Sequence, residues 1–385
     1  MVFLNSQKEN FIGAGLMSGT SLDGLDIALC SFSKVDHFRP KLIHFETIKW
    51  PEYLNQLLRK ITSVETVKLS ELTFFNRKAA EFFADSVNQV INNAGLVNEE
   101  VDFIGSHGHT IYHIPSELSP DKKAATLQLV DADHIATKTG ILTVSDFRQK
   151  HIAAGGEGAP LVVYGDYTLF TDSIENRILA NIGGMANLTW LPANSSINQV
   201  ITTDTGPGNK LIDLSVNQMN PDLFYDDNGK FATQGRLNIE VLENMMLDDF
   251  FQKKFPKSTG SEYFNSDWLI RYTKELSHLD RIKTLTVLTA QSLVLACERV
   301  SRKQNYTLYL SGGGAHNSSL IELIKSFAKG NIVKLFDELG FSSDSKEAVL
   351  FSWLAYQTLA GQSLTSPRNS GIGKKLNLGK ISLPK

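Results

Sequence analysis

The chain alternates between stretches in which apolar residues recur every three or four positions and short runs that are apolar throughout. Residues 70–94 are of the first kind, and Gly95 can supply the left-handed residue that ends a helix. Asp131 is placed to cap another helix, with Gly140 just past its end. Further helices are predicted over residues 284–300 and 346–360, and strands over residues 101–105, 126–130, 141–144, 177–182, 188–191 and 307–310. This alternation favours an α/β protein in which sheets are flanked by helices.

Two segments share one local pattern, a strand followed by a glycine-rich turn and a second strand. They are IGAGLMSGTSLDGLDIAL, near the start, and ILANIGGMANLTWL, in the middle of the chain. An internal repeat would give two similar halves, and a cleft between such halves is where a ligand binds. With 385 residues, the chain is also long for one compact core, so two domains are expected.

Composition narrows the classes of function. Hydrophobic residues make up 42% and charged residues 21% of the chain, as in soluble globular proteins. The net charge of −3 gives no field that would attract nucleic acid or an anionic membrane, so neither is expected as a partner. No apolar run approaches the roughly 20 residues of a membrane helix, and the N-terminus lacks a signal-peptide pattern. Cys30 and Cys297 lie in apolar segments, which favours reduced core cysteines and a cytoplasmic protein.

The first glycine-rich turn, from Gly15 to Asp26, carries more hydroxyl and carboxylate groups than a plain hairpin needs. Backbone N–H groups in such a turn can converge on phosphate oxygens, and Thr20 and Ser21 add donors. Asp23 can hold a hydrated Mg²⁺. A plain hairpin with Asp-Gly at its tip is the alternative, but it leaves the preceding Ser-Gly-Thr-Ser unexplained. The chain has no GxxxxGKS or GxxxxGKT motif, so a Walker P-loop is excluded.

Two later motifs also place glycines beside polar residues. In ITTDTGPGNKLID, residues 201–213, Asp204 follows the apolar start of a strand, and Gly-Pro-Gly then leads into a helix near Asn209. A carboxylate at a strand end that faces a cleft is suited to act as a general base, although Asp also makes local backbone bonds at helix entries. LSGGGAHN, residues 310–317, either lets a flat ligand lie against bare backbone or simply forms a tight turn from strand to helix.

A histidine-rich segment and an arginine complete the candidate chemistry. In SHGHTIYH, His107 and His109 would face one side of a strand and could bind zinc, but Gly108 between them favours a loop and no third ligand stands out. Hydrogen bonding to a substrate, or a structural role, fits these histidines better. Asp146 and Arg148 follow another strand. Arg148 can clamp a carboxylate through two hydrogen bonds or pair locally with Asp146.

Taken in order along the chain, these motifs resemble those of the anhydro-N-acetylmuramic acid kinase family. The resemblance runs from Gly15 to Ala355 and is carried by GLMSGTSLDGLDIAL, GSHGHT, DFR, AAGGEGAPLV, NIGGMANLT, DTGPGN, KSTGSEYFN, LSGGGAHN and KEAVLFSWLA. MSGTSLDG together with DTGPGN is far more specific than any single glycine run. The family belongs to the superfamily of sugar kinases, heat-shock ATPases and actin.

The resemblance implies an α/β fold of two internally related, ribonuclease H-like domains with mixed sheets flanked by helices and a nucleotide cleft between them. The domains are expected at residues 1–143 and 144–361, with residues 362–385 as a candidate addition to the first. ATP and Mg²⁺ are the implied cofactors. In the implied reaction, water opens the 1,6-anhydro ring of the amino sugar and the released oxygen is phosphorylated, which gives N-acetylmuramic acid 6-phosphate for peptidoglycan recycling. A homodimer is the family expectation.

Site residues follow from the matched motifs. Asp204 matches the catalytic base of the family. His107, Arg148 and Glu347 match positions of the sugar pocket. The positions expected to bind ATP, with Mg²⁺ on Asp23, are Gly19, Thr20, Ser21, Leu22, Asp23, Gly24, Leu25, Asp26, Gly206, Gly208, Asn209, Gly312, Gly313 and Gly314.

The chain departs from the family pattern at three positions. His151 replaces the second acid of DFRxxD, Glu157 replaces the Gln of GGQGAP, and His109 replaces the Gln of HGQT. A neutral histidine still accepts or donates one hydrogen bond, and Asp204 and MSGTSLDG are intact, which favours an active enzyme. The change at His151 leaves open a kinase of this fold that acts on another sugar. A non-catalytic nucleotide-binding relative and a metal-dependent hydrolase built on His107 and His109 are the alternatives from other classes.

Overall fold

The structure, a computed structural model, describes residues 4, 7–19, 22, 24–63, 66–159, 161–260, 262–365, 372 and 375–385. The chain forms two compact units: Met1–Gly165 together with Asp344–Lys385, and Asp166–Ser343. The sequence placed the breaks after residues 143 and 361 instead. The second break lies before Lys346 because the helix over Lys346–Leu359 packs on the sheet of the first unit.

The first unit is built on a seven-stranded mixed sheet. Its strands are β1 (Asn10–Ser18), β2 (Leu25–Ser33), β3 (Pro40–Ile48), β4 (Phe103–Ile114), β5 (Ala125–Leu129), β6 (Thr143–Ser145) and, near the C-terminus, β14 (Lys380–Ser382). Their spatial order is β14-β6-β4-β1-β2-β3, and β5 pairs with β4. Strand β2 lies between β1 and β3 and runs antiparallel to both, whereas β4 runs parallel to β1 and β6 runs parallel to β4.

Helices flank this sheet at the three places that the sequence predicted (residues 70–94, between Asp131 and Gly140, and residues 346–360) and at others. They are α1 (Glu52–Ser63), α2 (Leu69–Asn93), α3 (Ala132–Thr139), α4 (Phe147–Ala153), α5 (Val162–Phe170), which crosses the break, and α12 (Lys346–Leu359). The predicted helix over residues 70–94 is confirmed, and its buried Phe75 and Phe83 belong to the main apolar core of the unit. Both ends of α3 are also confirmed, because the Asp131 side chain accepts from the Asp133 N–H and Gly140 is left-handed with φ 75°.

Helix α12 lies directly on the sheet because two strands carry glycine beneath it. A Cβ at Gly15 of β1 would lie 1.8 Å from the Ala348 carbonyl oxygen, and one at Gly105 of β4 would lie 2.1 Å from the Phe351 carbonyl oxygen. Neither position has room for a side chain, so the helix backbone approaches the strands closely. This contact ties residues 344–385 to the first unit, and the antiparallel pairing of β14 with β6 adds to it.

The second unit contains a five-stranded sheet with the order β11-β10-β7-β8-β9. Its strands are β7 (Arg177–Ile182), β8 (Met185–Leu191), β9 (Ile201–Pro207), β10 (Thr307–Ser311) and β11 (Ile332–Leu335). Its helices are α6 (Lys210–Met219), α7 (Ile239–Met246), α8 (Asp249–Gln252), α9 (Ser266–Thr273), α10 (His278–Val300) and α11 (Ser318–Phe327). Leu293 and Cys297 of α10 share an apolar core with Ile178 and Leu308 of the sheet.

The two sheets repeat one topology. In the first unit, β3-β2-β1-β4-β6 has three antiparallel neighbours followed by two parallel additions, and β9-β8-β7-β10-β11 has the same order and directions in the second. Each repeat begins with the strand, turn and strand pattern seen in the sequence. The expectation of two internally related α/β units with mixed sheets flanked by helices is therefore confirmed.

One local expectation is wrong. The strand predicted over residues 101–105 continues through SHGHT, because β4 extends from Phe103 to Ile114. Gly108 does not open a loop. It has φ 73°, and a Cβ there would lie 2.4 Å from the Leu129 carbonyl oxygen, so it marks the place where β5 approaches β4 closely. The described strands also include β12 (Leu364–Thr365) and β13 (Lys375–Leu376), which form a separate two-stranded antiparallel sheet.

Candidate active site

Three glycine-rich turns meet in the second unit. They are Gly183–Gly184 between β7 and β8, Gly206–Gly208 at the end of β9, and Gly312–Gly314 after β10. The Gly208 N–H donates to the Gly184 carbonyl at 2.9 Å, and the Asn209 N–H donates to the Gly183 carbonyl at 2.8 Å. The turn at residues 206–208 is also held from behind by α10, whose buried Thr289 hydroxyl lies 2.9 Å from the Gly208 carbonyl oxygen.

The glycines are required by close approach of one backbone to another. A Cβ at Gly208 would lie 2.2 Å from the Gly183 carbonyl oxygen. Gly312 has φ 79°, and a Cβ there would lie 2.6 Å from Oδ1 of Asn181. By contrast, a Cβ at Gly184 would meet nothing within 4 Å, so that side of the turn is open. The N–H groups of Gly208 and Asn209 are used within the protein, so the open side at Gly184 is where a ligand can approach the backbone of these turns.

This arrangement unites six residues that the sequence assigned to nucleotide binding: Gly206, Gly208, Asn209, Gly312, Gly313 and Gly314. It also adds three that sequence reasoning missed, Asn181, Gly183 and Gly184. The repeat of the strand, turn and strand pattern was the signal that could have found them. Gly183–Gly184 occupies the same place in the second unit as the Gly15–Asp26 turn does in the first.

The turn between β1 and β2 is only partly described. Thr20, Ser21 and Asp23 lie outside the described residues. The Leu22 N–H donates to the Gly19 carbonyl at 3.3 Å, and the side chains of Leu22 and Leu25 are buried in the core of the unit. Their side chains therefore face away from solvent, and a ligand could meet only their backbone. Asp26 Oδ1 accepts from the Thr47 hydroxyl at 2.6 Å.

Strand β4 is tied to this turn through Ser18 and His109. The Ser18 hydroxyl oxygen lies 3.3 Å from the Gly24 carbonyl oxygen and 3.0 Å from Nδ1 of His109. The hydroxyl has one hydrogen, so when it donates to Gly24 it accepts from an Nδ1–H of His109. Burial lowers the pKa of His109 to about 4, which keeps the ring neutral at physiological pH. The side chains of Ser18 and His109 are both buried. The chain of hydrogen bonds from His109 through Ser18 to Gly24 is therefore shielded from water.

Asp204 lies within β9 rather than at a strand end, and a distant segment holds it. Its N–H donates to the Lys257 carbonyl at 2.9 Å, and its Oδ2 accepts from the Thr259 N–H at 2.8 Å. Burial raises the pKa of Asp204, and the Thr259 bond opposes that rise. Oδ1 takes part in neither contact. A partly buried carboxylate with one oxygen fixed and the other directed elsewhere suits a general base better than a helix-entry turn.

His107, Arg148 and Glu347 are brought together in the first unit. Nε of Arg148 donates to Nε2 of His107 at 2.9 Å. Because a guanidinium can only donate, His107 is neutral with its proton on Nδ1, which donates to the Gly108 carbonyl at 3.2 Å. Burial and the charge of Arg148 lower the pKa of His107 to about 3. Burial lowers the pKa of Arg148, and the nearby Glu347 carboxylate opposes the shift.

Arg148 also donates through Nη1 to the Gly158 carbonyl at 3.3 Å. These two hydrogen bonds use Nε and Nη1 of Arg148, and the Glu347 carboxylate lies near the guanidinium. The local pair between Arg148 and Asp146 is not formed, because the Asp146 carboxylate bonds instead to Lys380 of β14. Strand β14 is far along the chain, so this partner could not be read from local spacing.

The departures at His151 and Glu157 both concern the loop that follows α4. Nδ1 of the buried His151 accepts from the Gly158 N–H at 3.0 Å. Glu157 Oε2 accepts from the Ser116 N–H at 3.0 Å. Gly158 is therefore clamped at its N–H by His151 and at its carbonyl by Arg148. His151 acts on the loop backbone, and its acceptor nitrogen is already engaged there.

The bonding of the histidines disfavours zinc. His107 accepts from Arg148 through Nε2, and His109 contacts Ser18 through Nδ1. Over the described ranges, no three His, Cys, Asp or Glu side chains come together as a metal site. No helix in the part of the chain that the structure describes has both the length and the apolar character needed to cross a membrane.

Comparison with known proteins agrees with the sequence motifs. The sequence model of the family described as "Anhydro-N-acetylmuramic acid kinase" matches residues 10–384. Proteins of that name from Pseudoalteromonas atlantica and Pseudoalteromonas translucida are each 40% identical to the chain, over 100% and 96% of it and over 98% and 94% of their own lengths. The one from Caldanaerobacter subterraneus subsp. tengcongensis is 38% identical over 98% of both chains.

Proposed function

Since the chain belongs to the anhydro-N-acetylmuramic acid kinase family, we propose that it uses ATP and water to convert 1,6-anhydro-N-acetylmuramic acid into N-acetylmuramic acid 6-phosphate, a step of peptidoglycan recycling. The observation that carries the chemical part of the proposal is Asp204, whose Oδ2 is fixed by Thr259 and whose pKa is raised by burial. Such a carboxylate can take a proton at Oδ1 while its orientation is held.

In this mechanism Asp204 removes a proton from water as the water oxygen bonds to the anomeric carbon. The bond between that carbon and O6 breaks, and its electron pair stays on O6. O6 then forms a bond to the γ-phosphorus, the β–γ bridging bond breaks, and ADP leaves. The proton ends on Asp204 and is later released to solvent. The chain's residues supply orientation and charge, as is usual in phosphoryl transfer.

ATP fits the glycine turns of the second unit. The Gly206–Gly208 and Gly312–Gly314 turns present bare backbone, and the open side of Gly184 leaves room for a ligand atom. We assign the phosphates and the adenosine to these turns together with Asn209. The Gly19–Asp26 turn of the first unit is assigned to ATP from the family motif alone. Gly184 extends the set predicted from the sequence.

Mg²⁺ would neutralise charge on the phosphate oxygens. It usually keeps several waters and takes only one or two protein carboxylates, so a three-residue cluster is not required. We assign Asp23, which lies outside the described residues, as its protein contact, and Thr20 and Ser21 as neighbouring donors.

We assign His107, Arg148 and Glu347 to the sugar. Nη2 of Arg148 can donate to the lactyl carboxylate of the amino sugar, which a guanidinium recognises well. His107 holds Arg148 in place because its Nε2 accepts a hydrogen bond from Nε of the arginine. A cytoplasmic location, which the two free buried cysteines favour, and a homodimer, which rests on the family alone, complete the proposal.

The kinase acting on another sugar was suggested by His151. His151 accepts a hydrogen bond from the Gly158 N–H and so has a structural role in holding the loop. This role weakens the argument that His151 marks a different substrate. The intact surroundings of Asp204 likewise oppose a non-catalytic relative.

The direct test is incubation of the protein with ATP, Mg²⁺ and 1,6-anhydro-N-acetylmuramic acid in H₂¹⁸O. We expect one labelled oxygen at the anomeric hydroxyl, unlabelled phosphate at O6 and one ADP per product, measured by mass spectrometry and NMR. Phosphorylation of a plain amino sugar in place of the anhydro sugar would favour the other kinase. ATP binding with no product from either sugar would favour the non-catalytic relative.

A further inference from the structure

A single short segment, Lys257 to Thr259, holds the carboxylate and the backbone of Asp204. The Lys257 carbonyl accepts from the Asp204 N–H at 2.9 Å, and the Thr259 N–H donates to Asp204 Oδ2 at 2.8 Å. Thr203 adds a second attachment, since its hydroxyl oxygen accepts from the Lys257 N–H at 2.9 Å and lies 3.1 Å from the Lys257 carbonyl oxygen. The position of this segment therefore decides the position of the base.

The side chain of Lys257 anchors the segment from the other side. Only 8% of the residue is exposed, which is unusual for lysine. Its Nζ donates to the Phe250 carbonyl at 2.8 Å and lies 4.0 Å from the centre of the Phe250 ring. The Phe255 and Phe251 rings lie at 5.0 and 5.6 Å. An ammonium within about 6 Å of an aromatic face is attracted to it, and the attraction grows when water is excluded.

The neighbouring charged side chains that act on Lys257 do not favour its burial. Burial lowers the pKa of Lys257 to about 8, and the positive charges of Arg299 and Lys253 add to that lowering. The ammonium is therefore held against its own desolvation and against two like charges. A buried methionine would fill a similar volume without these energetic costs. The ammonium and its hydrogen bond to Phe250 are therefore suited to hold the segment in position.

We propose that Lys257 is a positioning residue for the catalytic base: its ammonium, held by the Phe250 carbonyl and three phenyl rings, fixes the segment whose Lys257 carbonyl and Thr259 N–H align Asp204. The inference rests on the proposed function, because it assigns Asp204 as the base. It adds a residue that contacts Asp204 through its backbone carbonyl, while its side chain contacts Phe250.

The consequence is visible in the ionisation of Asp204. The Thr259 N–H favours the carboxylate form and so holds the pKa of Asp204 below the value that burial alone would give. When the segment moves away, that bond weakens and the pKa rises. Because the base works only when ionised, the acidic limb of the pH profile of kcat moves to higher pH.

The experiment compares Lys257→Met with Thr203→Val, which loosens the same segment by removing the hydroxyl and leaves the lysine in place. Lys254→Met, at an exposed lysine of the same loop, is the matched control. Kinetics with ATP and the anhydro sugar are followed from pH 5 to 9, and ATP affinity is measured by calorimetry. We expect kcat to fall about tenfold to a hundredfold in both test variants. We expect their acidic limbs to move up by about one pH unit. KM and ATP affinity stay near wild type, and Lys254→Met behaves as wild type.

Thermal unfolding separates positioning from folding. Thr203→Val tests the segment alone, so if Lys257→Met proves too unstable to assay, Lys257→Gln, which removes the charge and keeps a polar end, takes its place in the comparison. A fall in kcat with an unmoved acidic limb in the folded variants would overturn the inference and leave a structural lysine. Wild-type protein that turns over no sugar would instead refute the proposed function, so the two failures are distinguishable.

Discussion

The contact between the Gly183–Gly184 turn and Gly208 provides the sharpest test of how the second unit builds its glycine-rich site. In Gly208→Ala, the added Cβ would lie 2.2 Å from the Gly183 carbonyl oxygen, whereas ordinary contacts begin near 3.4 Å. The two turns must separate by about 1.2 Å, the difference between those distances. The neighbouring bond from Asn209 N–H to the Gly183 carbonyl is 2.8 Å long and would stretch beyond the range of a hydrogen bond.

The magnitude follows from two of the hydrogen bonds that join the turns, those donated by Gly208 and Asn209. The Gly208 N–H to Gly184 carbonyl bond, at 2.9 Å, would be lost with the Asn209 bond. Each backbone hydrogen bond contributes about 0.5–1.5 kcal/mol, so the substitution is expected to destabilise this region by about 1–3 kcal/mol. That free energy corresponds to an increase of about 5- to 150-fold in the local opening constant.

Hydrogen–deuterium exchange measures this opening directly, in peptides that cover residues 182–188 and 206–212. We expect faster exchange in both peptides of Gly208→Ala and a parallel loss of ATP affinity. Gly184→Ala is the matched control, because its Cβ would meet nothing within 4 Å. It should exchange as wild type does, yet bind ATP more weakly, since the methyl group would occupy the open side of the turn. Unchanged exchange in Gly208→Ala would refute this account of the site.

Three further substitutions test other parts of the molecule. Asp204→Asn should lower kcat by about 10²–10⁴-fold with ATP affinity retained by calorimetry, because the amide oxygen can still accept from the backbone but cannot take a proton; comparable activity would refute the mechanism. His151→Asn should keep an acceptor for the Gly158 N–H, whereas His151→Phe should lose about 1–3 kcal/mol in urea unfolding; equal losses would contradict the clamp. Burial raises the pKa of Asp213 from 3.8 to about 6, so the folded protein binds more protons there than the unfolded chain and loses stability as pH rises through that window. Asp213→Asn should therefore raise the melting temperature above pH 6, with the gain fading below pH 4; a gain independent of pH would contradict this.

Local signals predicted most of the secondary structure. The caps of α3 and the strand over Arg177–Ile182 were read from residues that act within a few positions of themselves. The extension of β4 through Gly108 was missed because its cause is a neighbouring strand, β5, that approaches the glycine. Likewise α12 belongs to the first unit because of glycines on β1 and β4. Contacts that bring distant segments together were the part that local spacing could not reveal.

The candidate site shows the same division. His107, Arg148 and Glu347 were selected from separate motifs by resemblance, and the structure brings them together. The tautomer of His107 follows only from its contact with Arg148, and no spacing in the sequence indicates it. For Asp204, the residue type and strand were readable, but the segment that fixes its carboxylate lies 55 positions away at Thr259.

The repeated topology explains why polar groups gather where they do. In each unit, the first strand of the hairpin pairs in parallel with a later strand, which places a residue of that later strand beside the hairpin turn. Ser18 pairs with His109 in this way, and Asn181 pairs with Ser311. The position beside the hairpin turn therefore holds His109, hydrogen-bonded to Ser18, in the first unit. In the second unit the equivalent position holds Ser311, where the chain enters the Gly312–Gly314 turn. Once the repeat is accepted, the sequence predicts which later strand lies beside each turn. The hydrogen bonds formed there depend on the side chains that each unit carries, and this is how one topology supports two different chemical environments.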